Sequence, residues 1–419
     1  MKKLAMNGGA PIRKTKWPLW PVADARESEL LDSILGEGKW SYNGKLETQF
    51  RGLWADYIGT KHAIPVANGT VSLQLCLEAL DIGFGDEVIV PGLTWQATAA
   101  CVIDVNAVPV FVDVEEDSWC IDPKQIEAAI TARTKAIIVV HLYGTICDMD
   151  AILQIADRHG LYVIEDAAHQ HGSVFKGKKI GNLAHVASFS LQNSKVFTCG
   201  EGGVITTNDD DIAEKLDALR NCGRRPVKET QDGHTGNYAI VGNFIQSGNY
   251  RITEFQAAVL LGQLEKFEPQ VELRERNALH LNKLINEQGL LKPMRRQEGT
   301  DRQSYFNIAF RYDEDLFKGL HIDTFRRAMS AELDYPFTAC YQPLNDCELY
   351  SPLTKKRHQL SEEYTKQIDP KRFKLKEAER AYKSTSVCAH HKLLLGTGSD
   401  MEQVAEAVQK IWDNASEIL

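Results

Sequence analysis

From Gly69 to Asn208 the sequence changes its hydrophobic period again and again, and few architectures tolerate that pattern. GTVSLQLCLEAL, residues 69–80, carries apolar residues at helical spacing; the turn-rich DIGFGDE then separates it from the β-rich run at Val88 to Pro91. A small-residue helical stretch, TAACVIDVNA, precedes the strand VPVFVDV at Val108 to Val114. Ile121 to Arg133 reads as a helix opened by Asp122 and Pro123, and TKAIIVVHLYG as a strand. Ala151 to His159 predicts a helix, and Leu161 to Ala168 a strand whose carboxyl end carries acids. Two short strands follow, in HVASFS and GGVITTN. Continuous apolar strands alternating with amphipathic helices predict an α/β fold with a mostly parallel sheet covered on both faces. In such sheets the ligand lies beyond the carboxyl ends of the strands, where the polar residues of these runs collect.

Outside that region the texture differs. Ala25 to Leu35 is helix-like, with Asp24 in front as an N-cap. Met1 to Pro21, with three prolines and two tryptophans, reads as an extended arm of the kind that packs on a neighbour. After about Gly262 come charged helical stretches such as LEKFEPQVELRERNALHLNKLINEQ and fewer apolar strands. The expected organisation is an arm (1–25), a large sheet domain (26–262) and a smaller α+β domain (263–419).

Composition removes several functions. A chain of 419 residues with 43% hydrophobic and 25% charged residues is long enough for two or three domains with a large core. Lys and Arg total 48 against 57 Asp and Glu, a net charge of −9 with no basic block, which disfavours nucleic acid or an anionic membrane as partner. No run approaches the ~18 apolar residues of a membrane span, and MKKLAMNGGAPIRK lacks the apolar stretch of a signal peptide. Nine cysteines, odd in number and never spaced C-x-x-C, point to a reducing cytoplasm, without a zinc or iron–sulfur site.

Five places along the chain carry possible chemistry. Asn68-Gly69-Thr70 sits where the strand-like HAIPVA meets a helix, so the N–H groups of Gly69 and Thr70 form a helix start that favours a phosphate, or a plain N-cap. Asp166, beside Glu165 at a strand end, is a buried acid that needs a partner, which a protonated ring nitrogen would supply. His169 and His171 nearby read as a metal pair or, more simply and above all for His171, as hydrogen-bonded core histidines. Lys195, on a short loop behind an apolar strand and flanked by Val196 and Phe197, is placed for a lowered pKa and Schiff-base chemistry, or for a structural pair with Glu201. Trp95, after another strand end, is an aromatic face for a ring, or core. Taken in order, these supply one group each for a phosphate, a ring face, a ring nitrogen and an aldehyde, the set that pyridoxal 5′-phosphate requires.

VANGTVSLQLCLEALDIGFGDEVIVPGLTWQATA, VIEDAAHQHGS, SFSLQNSKVFTCGEGGVI and SGNYRITEFQAAVL, at consistent spacing, resemble the sugar and cyclitol aminotransferases of the DegT/StrS family, fold-type I enzymes of pyridoxal phosphate. The resemblance runs from about Trp17 to the C-terminus. It implies that Lys195 forms the Schiff base with the cofactor, Asp166 pairs with the pyridine nitrogen and Trp95 stacks on the ring. It also implies that Gly69, Thr70 and Ser190 bind the phosphate and that His169 sits on the side of the phenolic oxygen. Asn249 in SGNYR matches an asparagine lent across a homodimer interface to the partner's phosphate. Ser194 stands where relatives often have glycine, a change that touches loop geometry. Family members with histidine in place of the lysine are dehydratases, so Lys195 implies amino transfer.

WPLWP, GLTWQATA and CAHHKLLLG further resemble the cyclitol branch, which takes an amino group from L-glutamine or L-glutamate to a scyllo-inosose-type ketone in aminoglycoside pathways. Nucleotide-linked keto-sugars, or dehydration and aromatisation to 3-amino-5-hydroxybenzoate, are the alternatives. Tyr341, His390, His391 and Arg251 are the candidate substrate contacts, with a structural role as the equal alternative for each.

Overall fold

A computed structural model describes residues 3–41, 43–224 and 244–418 of the chain. Asp24 opens α1 (Ala25–Glu37) with a capping box, accepting the Arg26 N–H while Glu27 returns a bond to the Asp24 N–H. Gly38, at φ 70°, ends it in the left-handed conformation that glycine adopts without penalty. The helix therefore runs two residues past the expected Leu35. α2 (Lys45–Ile58) follows and leads into β1 (His62–Val66).

From there strands and helices alternate as the period switching predicts: α3 (Gly69–Ala79), β2 (Glu87–Pro91), α4 (Ala97–Asp104), β3 (Val108–Val112), α5 (Pro123–Ala129), β4 (Thr134–Val140), α6 (Met149–His159) and β5 (Tyr162–Asp166). α5 is shorter than expected because Ile121 pairs in a bridge with Val114 and Ile130 is already extended. A hairpin absent from the sequence reading comes next, β6 (Val174–Phe175) and β7 (Lys178–Lys179), turning on Lys176 and Gly177, both at positive φ. β8 (Val186–Ser190) and β9 (Gly203–Thr207) complete a seven-stranded sheet of order β1-β9-β8-β5-β4-β2-β3. Only β9 runs against its neighbours; the β2–β3, β2–β4, β4–β5 and β5–β8 pairs are all parallel. β1 therefore points the same way as β8, and the carboxyl ends of β1, β2, β5 and β8 open on one edge. All five residues of β2 and of β9 are buried, as expected of a sheet covered on both faces.

The rest of the chain begins with α7 (Asp210–Arg220), α8 (Glu254–Glu265) and the long α9 (Phe267–Gln288). β10 (Lys292–Pro293), β12 (Asn307–Arg311) and β13 (Ser386–His390) form an antiparallel sheet, while β11 (Thr300–Arg302) joins the β6–β7 hairpin. α10 (Ile322–Leu333), α11 (Glu362–Gln367), α12 (Lys376–Arg380) and α13 (Gly398–Asp413) are the remaining helices. Side chains of α9, α10, α13 and this sheet make a second core, distinct from that of the large sheet. Residues from Cys340 to Ala381 return to the first core, among them Leu344, Tyr364 and Leu375.

The arm packs on its own chain. Leu4 and Trp17 are buried in the second core, the Trp17 indole donates to the Leu333 carbonyl at 2.8 Å, and Glu332 accepts the N–H of Ala5 at 2.8 Å. Among the described residues no helix is long and apolar enough to cross a membrane.

Candidate active site

The strands β1, β2, β5 and β8 lead from the open edge into the functional groups. Beyond β1, the Asn68 side chain caps α3 by accepting the Val71 N–H at 2.9 Å. The plain N-cap reading is thus correct for Asn68, and it leaves the Gly69 and Thr70 N–H groups, at the positive end of the helix, with no protein acceptor among the described residues. Gly69 is required here by space. A Cβ on it would lie 2.6 Å from the Ser190 Cβ and 3.0 Å from the Ser190 Cα, so only glycine lets α3 start against the end of β8.

At the end of β5, Asp166 is buried and accepts a 2.9 Å bond from the Thr98 hydroxyl and a 3.2 Å bond from the Ala168 N–H. Burial pushes its carboxyl up despite both bonds, so a cation placed beside it would be strongly held. Thr98, spending its proton on Asp166, accepts in turn from the Thr94 hydroxyl at 2.9 Å. Glu165, also fully buried, is satisfied elsewhere by the N–H groups of Gly181, Leu183 and Ala184. It is a structural acid.

The two histidines diverge. His169 is stacked between Tyr143 (5.7 Å, 6°) and Phe306 (4.1 Å, 13°), and its Nδ1 accepts the Tyr143 N–H at 3.2 Å. Its Nε2 then carries the proton and faces the Tyr341 hydroxyl at 3.4 Å. Burial, and secondarily the Lys195 charge, push the His169 pKa well down, so the ring is neutral. His171 donates from Nε2 to the Ser190 carbonyl at 2.9 Å and packs on Phe189 and Trp54, the core histidine of the simpler reading. Their rings are engaged separately, and among the described residues no cluster of three or more metal-ligating side chains occurs.

Lys195 lies in the turn between β8 and β9, its N–H bonded to the Gln192 carbonyl at 2.8 Å. Its amine is 4.2 Å from the centre of the Phe306 ring, and burial draws its pKa down to about 8 against the opposing charge of Asp166. The structural pairing with Glu201 is not made: Glu201 is exposed, and its carbonyl accepts the Gln256 amide at 2.6 Å. Trp95, 45% exposed, stands at the rim with its ring 5.7 Å from that of Tyr341.

A cavity of 620 Å³ brings together Gly69, Thr70, Trp95, Asp166, His169, Ser190, Lys195 and Tyr341. Four expected residues lie elsewhere. His390 and His391 do not line the cavity. Both point their Nε2 at the carbonyl of the half-buried Ser194, in the turn before Lys195, at 2.8 and 3.0 Å. Arg251 donates to the Asn221 side chain at 2.6 Å, outside the cavity. Asn249 is exposed, accepts the Arg251 N–H at 3.3 Å and is also outside it. Sequence reasoning missed Thr98 and Phe306. Thr98, one helical turn after Thr94 and three residues past Trp95, was open to a pattern argument, whereas Phe306 comes from a distant strand entry with no local signal.

Comparison with known proteins identifies the family. Residues 21–408 match the DegT/DnrJ/EryC1/StrS aminotransferase family. The chain is 42% identical to an L-glutamine:2-deoxy-scyllo-inosose aminotransferase of Streptoalloteichus tenebrarius, over 99% of both chains. It is 39% identical to an L-glutamine:scyllo-inosose aminotransferase of Streptomyces griseus, again over 99% of both. Among solved structures, 3-amino-5-hydroxybenzoic acid synthase superposes with a TM-score of 0.80 at 29% identity, covering 97% of this chain and 100% of that one. The α/β fold, the open sheet edge and full-length likeness lead to one conclusion: the chain belongs to the DegT/DnrJ/EryC1/StrS family of aminotransferases.

Proposed function

We propose that this aminotransferase uses pyridoxal 5′-phosphate to move an amino group from L-glutamine or L-glutamate to a keto-cyclitol of the scyllo-inosose or 2-deoxy-scyllo-inosose type. The observation that carries the reading is the convergence of Lys195, Asp166 and the Gly69–Thr70 helix start on one cavity. The cofactor fits what is there. Unused N–H groups at a helix start, with the Ser190 hydroxyl beside them, suit a phosphate. The buried Asp166 suits a protonated ring nitrogen, and Trp95 offers a ring face. When bound, the cofactor supplies an aldehyde to capture the amino group and a ring that accepts the electron pair released at the donor's α-carbon.

The protein's own residues do the rest. Lys195 Nζ, with a pKa of about 8, is partly neutral at physiological pH and takes the proton from the donor's α-carbon. In the return half it delivers a proton to the carbon that bore the acceptor's carbonyl. Asp166, held in place by Thr98 and Ala168, would keep the ring nitrogen protonated. His169, neutral and fixed by Tyr143, keeps a single N–H directed into the site.

The same reading makes the enzyme a cytoplasmic homodimer with small-molecule substrates, in which Asn249 serves the partner's phosphate site. It divides the chain into an arm (1–25), a cofactor-binding domain (26–262) and a smaller domain (263–419), whose segment from Cys340 to Ala381 packs back on the first core. Relatives named for 2-deoxy-scyllo-inosose and scyllo-inosose, at about 40% identity over full length, support a keto-cyclitol acceptor and a role in aminoglycoside-type biosynthesis.

The decisive experiment loads the protein with pyridoxal 5′-phosphate, converts it with L-glutamine, and then offers scyllo-inosose, 2-deoxy-scyllo-inosose and a nucleotide 4-keto-sugar separately. Return of the original visible band with a cyclitol ketone is the expected result. A response to the nucleotide sugar alone, or accumulation of an aromatic product, overturns it.

A further inference from the structure

The turn that carries Lys195 is gripped from behind by residues far apart in the chain. His390 and His391 direct both their Nε2 atoms at the Ser194 carbonyl, and the Trp20 indole of the arm donates to the preceding carbonyl, Asn193, at 3.0 Å. Behind His391 lies Arg274 of α9, fully buried, whose Nε–H donates to His391 Nδ1 at 3.1 Å. That bond decides the tautomer. With Nδ1 occupied as an acceptor, the His391 proton is on Nε2, where it must point at Ser194.

Arg274 is an unusual residue to bury. Among the described residues it has no carboxylate partner; its other contacts are the Gln270 side chain at 3.3 Å and the face of Trp20 at 4.8 Å, and one terminal nitrogen has none. Trp20 in turn meets the His391 ring edge-on at 4.7 Å. A buried cation held by an imidazole and an indole, with no anion beside it, is costly for stability alone. What it does achieve is a fixed chain of donors, Arg274 to His391 to Ser194, ending one residue before the amine.

We propose that Arg274 and His391, with His390 and Trp20, are positioning residues for Lys195, fixing the carbonyls of Ser194 and Asn193 and thereby the direction in which the amine approaches its reaction partner. The inference rests on the reading of Lys195 as the reacting amine. None of the four residues lines the cavity, so they act through the turn and not on the substrate.

The test uses the full-length chain and three substitutions. His391→Leu removes the ring donor, His391→Gln places an amide N–H where the ring carries Nε2, and Arg274→Met releases the tautomer. In His391→Leu, kcat falls about 10- to 100-fold with KM for the amino donor changed less than about threefold, the size expected for a displaced catalytic group. Amide hydrogen exchange at Asn193 and Lys195, measured without cofactor, speeds up about tenfold. His391→Gln recovers both readouts to within about fivefold, and Arg274→Met costs much less in that background than in the native one, the signature of a coupled pair.

Unchanged exchange and kcat in His391→Leu, or a Gln variant no better than the Leu variant, overturns the proposal. Should His391→Leu fail to fold, Trp20→Phe at its half-buried site replaces it: exchange at Asn193 rises about threefold or more if the turn is held from the arm, and an unchanged rate overturns the idea. Failure to trap cofactor on Lys195 of the native chain by borohydride would instead refute the lysine assignment, while exchange in the turn still judges whether these residues hold it.

Discussion

Lys195 Nζ stands 4.2 Å from the centre of the Phe306 ring, and among the described residues no carboxylate lies within 4.0 Å of it. An aromatic face stabilises an ammonium weakly compared with a carboxylate, so burial dominates and the pKa falls from 10.5 to about 8. The rate of cofactor attachment, followed by borohydride trapping, is expected to rise with pH through about 8 and to level off above it. Stability follows the same group. Between about 8 and 10.5 the unfolded chain still binds the proton that the folded chain has lost, so stability of the cofactor-free protein gains from Lys195 as pH rises through that window. Lys195→Met removes that slope, which urea midpoints at a series of pH values will show, and abolishes both half-reactions.

Gly69 and Ser190 set a second expectation. With a Cβ at residue 69 only 2.6 Å from the Ser190 Cβ, Gly69→Ala must push α3 away from the end of β8. A loss of about 1–3 kcal/mol in stability follows, the usual range for overpacking. Affinity for pyridoxal 5′-phosphate is expected to fall about tenfold or more, while affinity for pyridoxal, which lacks the phosphate, changes less. Adding Ser190→Gly removes the nearer clash and should restore part of the stability in thermal denaturation. Equal losses for the two ligands would separate this helix start from the phosphate.

How far the sequence discloses these arrangements depends on whether a group's neighbours are local. The sheet was legible because strand and helix periods alternate within short windows, and the placing of Asp166, Lys195 and Gly69 because each lies at or just beyond a strand's carboxyl end in that pattern. The hold of the CAHHKLLLG histidines on the Ser194 carbonyl was not legible: that partner is a backbone atom distant in the chain, and no side-chain pattern announces it. Arg274 and Trp20 were invisible for the same reason. The β6–β7 hairpin escaped because its strands of two residues each are too short to show a period.

The arm gives a third expectation. Glu332, fully buried on α10, accepts the N–H groups of Ala5 (2.8 Å) and Ile12 (3.2 Å) and the Lys410 ammonium (2.8 Å). Glu332→Ala leaves Lys410 buried without its anion and should cost about 3–5 kcal/mol. Glu332→Gln keeps the shape and some acceptor capacity and should cost less. Limited proteolysis should cut within residues 4–20 sooner in both variants than in the native chain, because the arm loses its anchor. An arm as resistant as the native one in a destabilised Glu332→Ala protein would show that Trp17 and Leu4 suffice to hold it.

Asn249 offers the sharpest test of a shared site. Its side chain is exposed and, among the described residues, bonded locally to the Arg251 N–H, and it does not line the cavity of its own chain. An asparagine that serves a partner's phosphate has this placement, because its useful contact appears only when two chains meet. Lys195→Ala chains lack the amine but keep Asn249; Asn249→Ala chains keep the amine but lose a phosphate donor in the partner. Mixed and re-equilibrated in equal amounts, half of the dimers contain one of each, and in those the intact lysine meets an intact asparagine in one of the two sites. At limiting cofactor, where Asn249→Ala alone is weak, the mixture should regain roughly a quarter of native activity. If Asn249 acts within its own chain, every site in the mixed dimer lacks one group and mixing restores nothing, so the yield on mixing decides between a shared site and two separate ones.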